Sequence, residues 1–310
     1  MKIAILDDYQ NVALTFGDWA SLEADITVFT KPLEDVVEQV KGFEVVVAMR
    51  ERTRFPAEVL DRLPELKLLV STGRRNAAID VAAARRNGVV VSATGYIGEP
   101  TTEHTWALIL AAARDLPAEF RSMREGGWQT SVGMTLHSKT LGLLGLGRLG
   151  SATARIGQAF GMETIAWSQN LTPEKAEPHG VTAVSKEELF SRADVLSVHL
   201  VLSGRTRGLV GAPELALMKP SALLVNTSRG PIVDESALLD TLRRKAIRGV
   251  ALDVYDTEPL PADHPLRTLG NAVLTPHLGF VTRETYEIFY GDAVEDIKAY
   301  QSGEPIRVLE

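Results

Sequence analysis

Arg229, Glu258 and His277, all in the second half of the sequence, have the chemistry for acid–base work on a small anion. Hydride addition to a 2-oxo acid needs a cation that holds the carboxylate and polarises the carbonyl. It also needs a proton donor for the developing alkoxide and a group that keeps that donor charged. A planar guanidinium grips a carboxylate through two parallel hydrogen bonds, which suits Arg229 to the first task. A carboxylate beside an imidazole steadies the imidazolium and fixes the ring, so Glu258 pairs naturally with His277 as the acid–base group. Taken singly, each is more readily a surface, ion-pair or packing residue. Their common placement, just beyond three consecutive strand-like runs, makes them a candidate site, because open α/β sheets bind ligands at the carboxyl ends of their strands.

A second pattern stands upstream. Gly145-Leu-Gly147-Arg148-Leu149-Gly150 has the spacing G-x-G-x-x-G, with an apolar run (140–144) leading in and a helical pattern (149–160) leading out. In that context the first glycine makes a tight turn and the second admits a pyrophosphate to the backbone. The third lets helix and strand pack closely, and the helix N-terminus offers free N–H groups to the phosphates. An acid about 20 residues on usually binds the ribose hydroxyls of NAD. Here Ser168-Gln169-Asn170 stands there, with neither a carboxylate nor an arginine. The expected cofactor is NAD or NADP, with a lean to NAD.

Short β-branched runs alternating with helical patterns must carry these residues. Strands are predicted at 2–6, 26–29, 44–48, 67–71 and 89–92, and again at 140–144, 163–167, 195–200, 222–226, 249–254 and 272–275. Helices are predicted at 33–40, 79–87, 102–113 and 284–301. The first five strands suggest a flavodoxin-like unit and the next six a dinucleotide-binding domain. The segment 114–138 is weakly periodic and reads as a surface excursion or oligomer contact. The expected fold is α/β, with two Rossmann/flavodoxin-like parallel-sheet domains and a cleft between them.

Composition narrows the partners. The 310 residues carry a net charge of −7, which argues against nucleic acid or an anionic membrane. There is no cysteine, so disulfides and thiolate metal sites are excluded. The opening MKIAILDDYQ is too short in apolar residues for a signal peptide, and no stretch approaches the length of a membrane span, so a cytoplasmic protein is expected. No histidine pair has helical metal-binding spacing, and no metal is expected. Of the remaining histidines, His104 reads as structural or as a residue supporting the site from behind, His199 as facing either the cofactor or the packing, and His137, His179 and His264 as loop residues.

The chain resembles the D-isomer-specific 2-hydroxyacid dehydrogenase family over nearly its whole length. The resemblance rests on Gly145 to Gly150, on Asn226-Thr227-Ser-Arg229-Gly-Pro-Ile-Val-Asp234, on Ala251-Leu-Asp253-Val-Tyr-Asp-Thr-Glu258-Pro259, and on Thr275-Pro-His277-Leu-Gly279. It implies Arg229, Glu258 and His277 as the catalytic set, and a homodimer built through the cofactor domain. Cofactor contacts are implied at Gly145, Gly147, Arg148, Leu149, Gly150, Ser168, Thr227, Asp253, His277 and Gly279, with Asp253 meeting the carboxamide. It also implies a substrate domain of residues 1–98 plus 282–310 around a cofactor domain of 99–281. Family members often hold the substrate carboxylate on a small Gly/Val turn. The matching stretch here is Thr72-Gly73-Arg74-Arg75-Asn76, so Arg74, Arg75 and Asn76 join Arg229 and His277 as expected substrate contacts. With Arg50, Arg52 and Arg54 nearby in sequence, these arginines suggest a substrate with a second anionic group; the equal alternative is that most are solvated or paired with Glu51 and Glu58. The expected reaction is hydride transfer between NAD(P)(H) and C2 of a small 2-hydroxy or 2-oxo acid, glyoxylate/hydroxypyruvate-like or 3-phosphoglycerate-like. The alternative from another class is a non-catalytic NAD(H)-sensing module of the same fold. A formate- or phosphite-oxidising relative is weakened by Glu258, where formate enzymes carry glutamine.

Overall fold

The computed structural model describes every residue from 1 to 310 except 75. The chain divides into two compact units, Met1–Ile97 with Val281–Glu310, and Gly98–Phe280. In chain order the first unit opens with β1 (Lys2–Ile5), β2 (Asp25–Val28), α1 (Val36–Val40), β3 (Val45–Ala48), α2 (Ala57–Leu60), β4 (Leu68–Ser71), α3 (Val81–Arg86) and β5 (Val90–Ala93). The second unit holds α4 (Glu99–Ala113), α5 (Leu116–Arg124), β6 (Thr140–Leu144), α6 (Arg148–Ala159), β7 (Glu163–Trp167), α7 (Pro173–Ala176) and β8 (Thr182–Ala183). It continues through α8 (Lys186–Arg192), β9 (Val195–Val198), α9 (Ala212–Leu217), β10 (Leu223–Asn226), α10 (Glu235–Arg243), β11 (Gly249–Leu252) and β12 (Ala272–Leu274). The last helix, α11 (Arg283–Gln301), belongs to the first unit.

The first sheet runs β2-β1-β3-β4-β5, all parallel, which is the flavodoxin order. Its order reverses between β1 and β3, so the segments after those two strands, Asp7–Asp8 and Arg50–Thr53, flank the switch point. Strands buried on both faces read as unbroken apolar runs rather than alternating ones. The stretch Val45-Val46-Val47-Ala48 is such a run, each residue at most 1% exposed. Val46 and Ala48 join one core cluster with Ala4, Leu6, Leu69 and Val91. The C-terminal tail adds a short antiparallel edge to β5, where Val308 bridges Ser92.

The second sheet runs β12-β11-β10-β9-β6-β7-β8, also parallel. It has seven strands where six were expected. The extra one, Thr182–Ala183, is the edge strand of the sheet and pairs with β7. Alternate residues feed separate cores on the two faces. Leu141, Leu143, Leu223 and Val225 pack with Trp106 and Ile109 of α4. Leu144, Leu196, Val198, Leu224 and Leu252 pack with Phe190, Leu215 and Leu238 from α8, α9 and α10. Each fully buried side chain of this kind stabilises the unit by roughly 1.5–3 kcal/mol relative to exposure.

Some helix starts are set by side-chain caps. Ser185 and Glu188 form a reciprocal capping box on α8. Asp234, the last residue of the Asn226–Asp234 motif, accepts from Ala237 N and starts α10. The stretch 114–138 contains α5, an amphipathic helix with no buried residue. No described helix is long and apolar enough to cross a membrane.

Candidate active site

The turn after β6 leads directly into α6. Gly145 has φ +105°, and a Cβ there would lie 2.8 Å from the His199 carbonyl oxygen. A Cβ on Gly150 would lie 2.2 Å from the Gly145 oxygen, so only glycine lets the helix sit this close to the turn. A Cβ on Gly147 would meet nothing within 4 Å, which leaves open space against the backbone. Gly147 is the N-cap of α6 and no side chain caps it. A strained turn, an open approach and an uncapped helix start together fit a pyrophosphate, so these residues suit a dinucleotide. Arg148 is exposed, with its guanidinium against the Gly98 backbone, and Leu149 is half-buried. Ser168 follows β7, and its carbonyl accepts from Leu171 N at 3.1 Å. No acidic side chain stands at 168–170.

Arg229 follows β10 in a braced turn. The Asn226 side chain spans it, donating to the Arg229 carbonyl at 2.9 Å and accepting from Ser228 N at 3.0 Å. The Arg229 guanidinium donates back to the Ser228 carbonyl at 2.7 Å. A Cβ on Gly230 would lie 2.0 Å from the Tyr255 carbonyl carbon. The arginine turn is therefore pressed onto the segment that leads to Glu258. Thr227 is buried, and its hydroxyl lies 2.7 Å from that of Thr105 on α4. Because Thr105 donates to Thr101 O, Thr227 is the donor in that pair.

Glu258 and His277 meet. His277 Nδ1 lies 2.6 Å from Glu258 Oε2, and Glu258 Oε1 accepts from Tyr255 N at 3.0 Å. Both side chains are mostly covered, 18% and 25% exposed, so water weakens the contact less than at an open surface. His277 has φ +54°, a left-handed conformation uncommon for a residue with a Cβ. Tyr255 donates its hydroxyl to the Thr275 carbonyl at 2.9 Å and so ties the end of β11 to that of β12.

Asp253 lies beneath this loop, 1% exposed. Its Oδ1 accepts from Leu278 N at 2.7 Å and Thr275 Oγ1 at 2.6 Å, and its Oδ2 from Gly279 N at 2.8 Å. His104 Nε2 approaches Oδ1 at 3.2 Å. Burial pushes this carboxyl up, but the bonds from His104 and Thr275, the nearby His104 charge and the Leu278 amide outweigh it and hold it below the ordinary range. Sequence reasoning gave Asp253 a contact with the carboxamide and passed over its hold on the His277 loop. The polar residues spaced around Thr275 and Gly279 were the available signal.

In the first unit the expected substrate turn is stiffened by side chains. Asn76 is buried, and its amide donates to the Arg50 carbonyl at 2.6 Å and to Ser71 Oγ at 3.0 Å. Gly73 N donates to Thr94 Oγ1 at 2.7 Å. Arg74 is exposed, and Arg75 lies outside the described residues. Arg50 lies 5.2 Å from the Tyr96 ring centroid and 3.8 Å from Glu51, and Arg52 lies 4.6 Å from the Tyr9 ring centroid. Of the other histidines, His264 pairs with Glu235 at 3.1 Å, and His199 donates to or accepts from Ser197 Oγ at 2.9 Å. Among the described residues no three His, Asp or Glu side chains gather as a metal-binding group.

Comparison with known proteins agrees with this layout. The family model described as D-isomer specific 2-hydroxyacid dehydrogenase, NAD binding domain, matches residues 106–279. The chain is 42% identical over 260 residues to the glyoxylate reductase of Aeropyrum pernix, covering 81% of this chain and 78% of that protein. It is 35% identical over 310 residues to the D-3-phosphoglycerate dehydrogenase of Archaeoglobus fulgidus, covering 99% of this chain and 58% of that protein. It thus spans about half the length of the curated phosphoglycerate dehydrogenases it matches. The crystal structure of a phosphoglycerate oxidoreductase from Vibrio cholerae superposes with a TM-score of 0.93 at 40% identity, covering 98% of this chain and 99% of that one. The chain therefore belongs to the D-isomer-specific 2-hydroxyacid dehydrogenases, NAD(P)-dependent oxidoreductases that transfer a hydride at C2 of 2-hydroxy and 2-oxo acids.

Proposed function

We propose that Arg229, Glu258 and His277 carry the reaction on a small 2-oxo acid. The observation that supports this most is the 2.6 Å contact between His277 Nδ1 and Glu258 Oε2. With Nδ1–H donated to the carboxylate, Nε2 is the edge of the ring left for a substrate oxygen. Residues Gly145 to Gly150 would hold the dinucleotide, which supplies the hydride when bound. Arg229 grips the substrate carboxylate and draws charge from the carbonyl. The His277 imidazolium, steadied by Glu258, gives its Nε2 proton to the carbonyl oxygen as C2 is reduced. The product is the 2-hydroxy acid and neutral His277. In the reverse direction neutral Nε2 takes the hydroxyl proton.

A non-catalytic NAD(H)-sensing role is not favoured. A sensor has no use for an imidazole–carboxylate pair joined at 2.6 Å, and the relatives are named as reductases and dehydrogenases.

The substrate is proposed to be glyoxylate/hydroxypyruvate-like or, with a second anionic group, 3-phosphoglycerate-like. Arg50, Arg52 and Arg74 after β3 and β4 support the second class, and the glyoxylate reductase at 42% identity supports the first. NAD is the proposed cofactor of choice, with weak discrimination because position 168 is serine. A homodimer in the cytoplasm completes the proposal. Phe120, Met123, Trp128 and Val132 are 60%, 61%, 73% and 89% exposed, and a second copy of the chain would cover them. The test is a panel of 2-oxo acids, with and without a second anionic group, assayed with NADH and NADPH. Turnover of at least one is expected; none with any acid and either cofactor would overturn the reading.

A further inference from the structure

His277 keeps a left-handed backbone without being glycine, and such a conformation persists only where its surroundings over-determine it. The over-determination here comes from one buried carboxylate. Asp253 takes Thr275 Oγ1 on one side of His277 and the amides of Leu278 and Gly279 on the other. The short loop is thus pinned at both flanks, and the imidazole is aimed by its backbone as well as by Glu258.

A further donor reaches this carboxylate from α4. His104 Nε2 lies 3.2 Å from Asp253 Oδ1 and 3.0 Å from Thr275 Oγ1. The threonine spends its only hydroxyl proton on Asp253, so its oxygen can only accept from His104. Nε2 therefore carries a proton, which forks between the two oxygens. The side chain is 18% exposed, so the fork is largely sheltered from water.

We propose that His104 is a positioning residue for the acid–base step. Its Nε2–H holds Asp253 ionised and Thr275 turned toward it, and the pair in turn fixes the 275–279 loop that presents His277. This rests on the reading of His277 as the acid–base group. Without the fork, a buried carboxylate loses a charge-assisted donor and loosens its hold on the Leu278 and Gly279 amides. The chemical step suffers, while the glycine turn that binds the dinucleotide is untouched.

The test uses the whole chain with NADH and the best 2-oxo acid, comparing His104→Phe, His104→Asn, His104→Gln and His277→Ala. Phenylalanine keeps the ring without the donor. Asparagine is polar but too short to reach. Glutamine places an amide N–H where Nε2–H stood. The Phe and Asn variants are expected to lose about 10-fold or more in kcat, as misplaced catalytic groups do, with clearly smaller changes in the NADH Kd and the KM for the acid. Gln should recover most of that loss. If His104→Phe will not fold, His104→Asn against His104→Gln carries the comparison. Wild-type kcat in the Phe or Asn variant, alongside an inactive His277→Ala, overturns the inference and leaves the reading of the site standing. Equal losses of kcat and NADH affinity, unrescued by Gln, also overturn it. An active His277→Ala overturns the reading itself.

Discussion

His277 and Glu258 are joined across two strand ends by a 2.6 Å contact, and the other Glu258 oxygen is fixed by the Tyr255 amide. These two contacts orient the carboxylate, and on the proposed reading it faces the nitrogen that does not react. Glu258→Gln keeps the shape and removes the charge that steadies the imidazolium. We expect kcat to fall roughly 10²-fold with little change in Tm. Steady-state NADH oxidation checks this, and a kcat within twofold of wild type would contradict it.

Two glycines of one turn should behave in opposite ways. A Cβ on Gly150 would sit 2.2 Å from the Gly145 oxygen, so Gly150→Ala must push helix and strand apart. We expect it to lower the Tm of the second unit by several degrees, at a cost of about 1–3 kcal/mol as overpacking usually brings. Gly147 opens on empty space, so Gly147→Ala should keep its Tm and lose NADH affinity. Thermal melts and NADH titrations of both variants separate the effects; equal melting losses would refute the assignment of Gly147 to the phosphate approach.

Arg229 is braced by Asn226 and pressed toward the Glu258 segment, an arrangement that suits a fork of parallel donors. Arg229→Lys keeps the charge and loses the fork. We expect kcat/KM for the 2-oxo acid to fall roughly 10- to 100-fold, the worth of one or two charge-assisted bonds, with NADH binding unchanged. An unaltered kcat/KM would remove Arg229 from the carboxylate.

His199 gives a stability signature in acid. Burial holds its imidazole down from the ordinary 6.5 to about 4. Its folded-state value is the depressed one, so the unfolded chain takes the proton first. The contribution is full above pH 6.5 and is lost as pH falls toward 4, at up to ~1.4 kcal/mol per pH unit. Denaturation across that window should show the loss, and His199→Gln should flatten it. An identical pH slope in the variant would exclude His199 as the cause.

Much of this was legible in the sequence because parallel strands covered on both faces leave unbroken apolar runs. The runs at 140–144 and 163–167 are the observed β6 and β7 to the residue. The run at 195–200 overshoots, since the strand ends at Val198 and His199 N donates to the Leu144 carbonyl beside the glycine turn. β8 was invisible because two residues on a sheet edge leave no periodicity. Arg229, Glu258 and His277 were legible as polar residues just past strands. The His104 fork was not, since it joins residues 149 and 171 positions apart in the chain.

The most direct test of the account is the rate of 2-oxo-acid-dependent NADH oxidation in His277→Ala beside the wild type. Loss of the proton donor predicts a fall in kcat of roughly 10²-fold or more, with Tm preserved and NADH affinity changed far less than kcat. Turnover at the wild-type rate in that variant would contradict it.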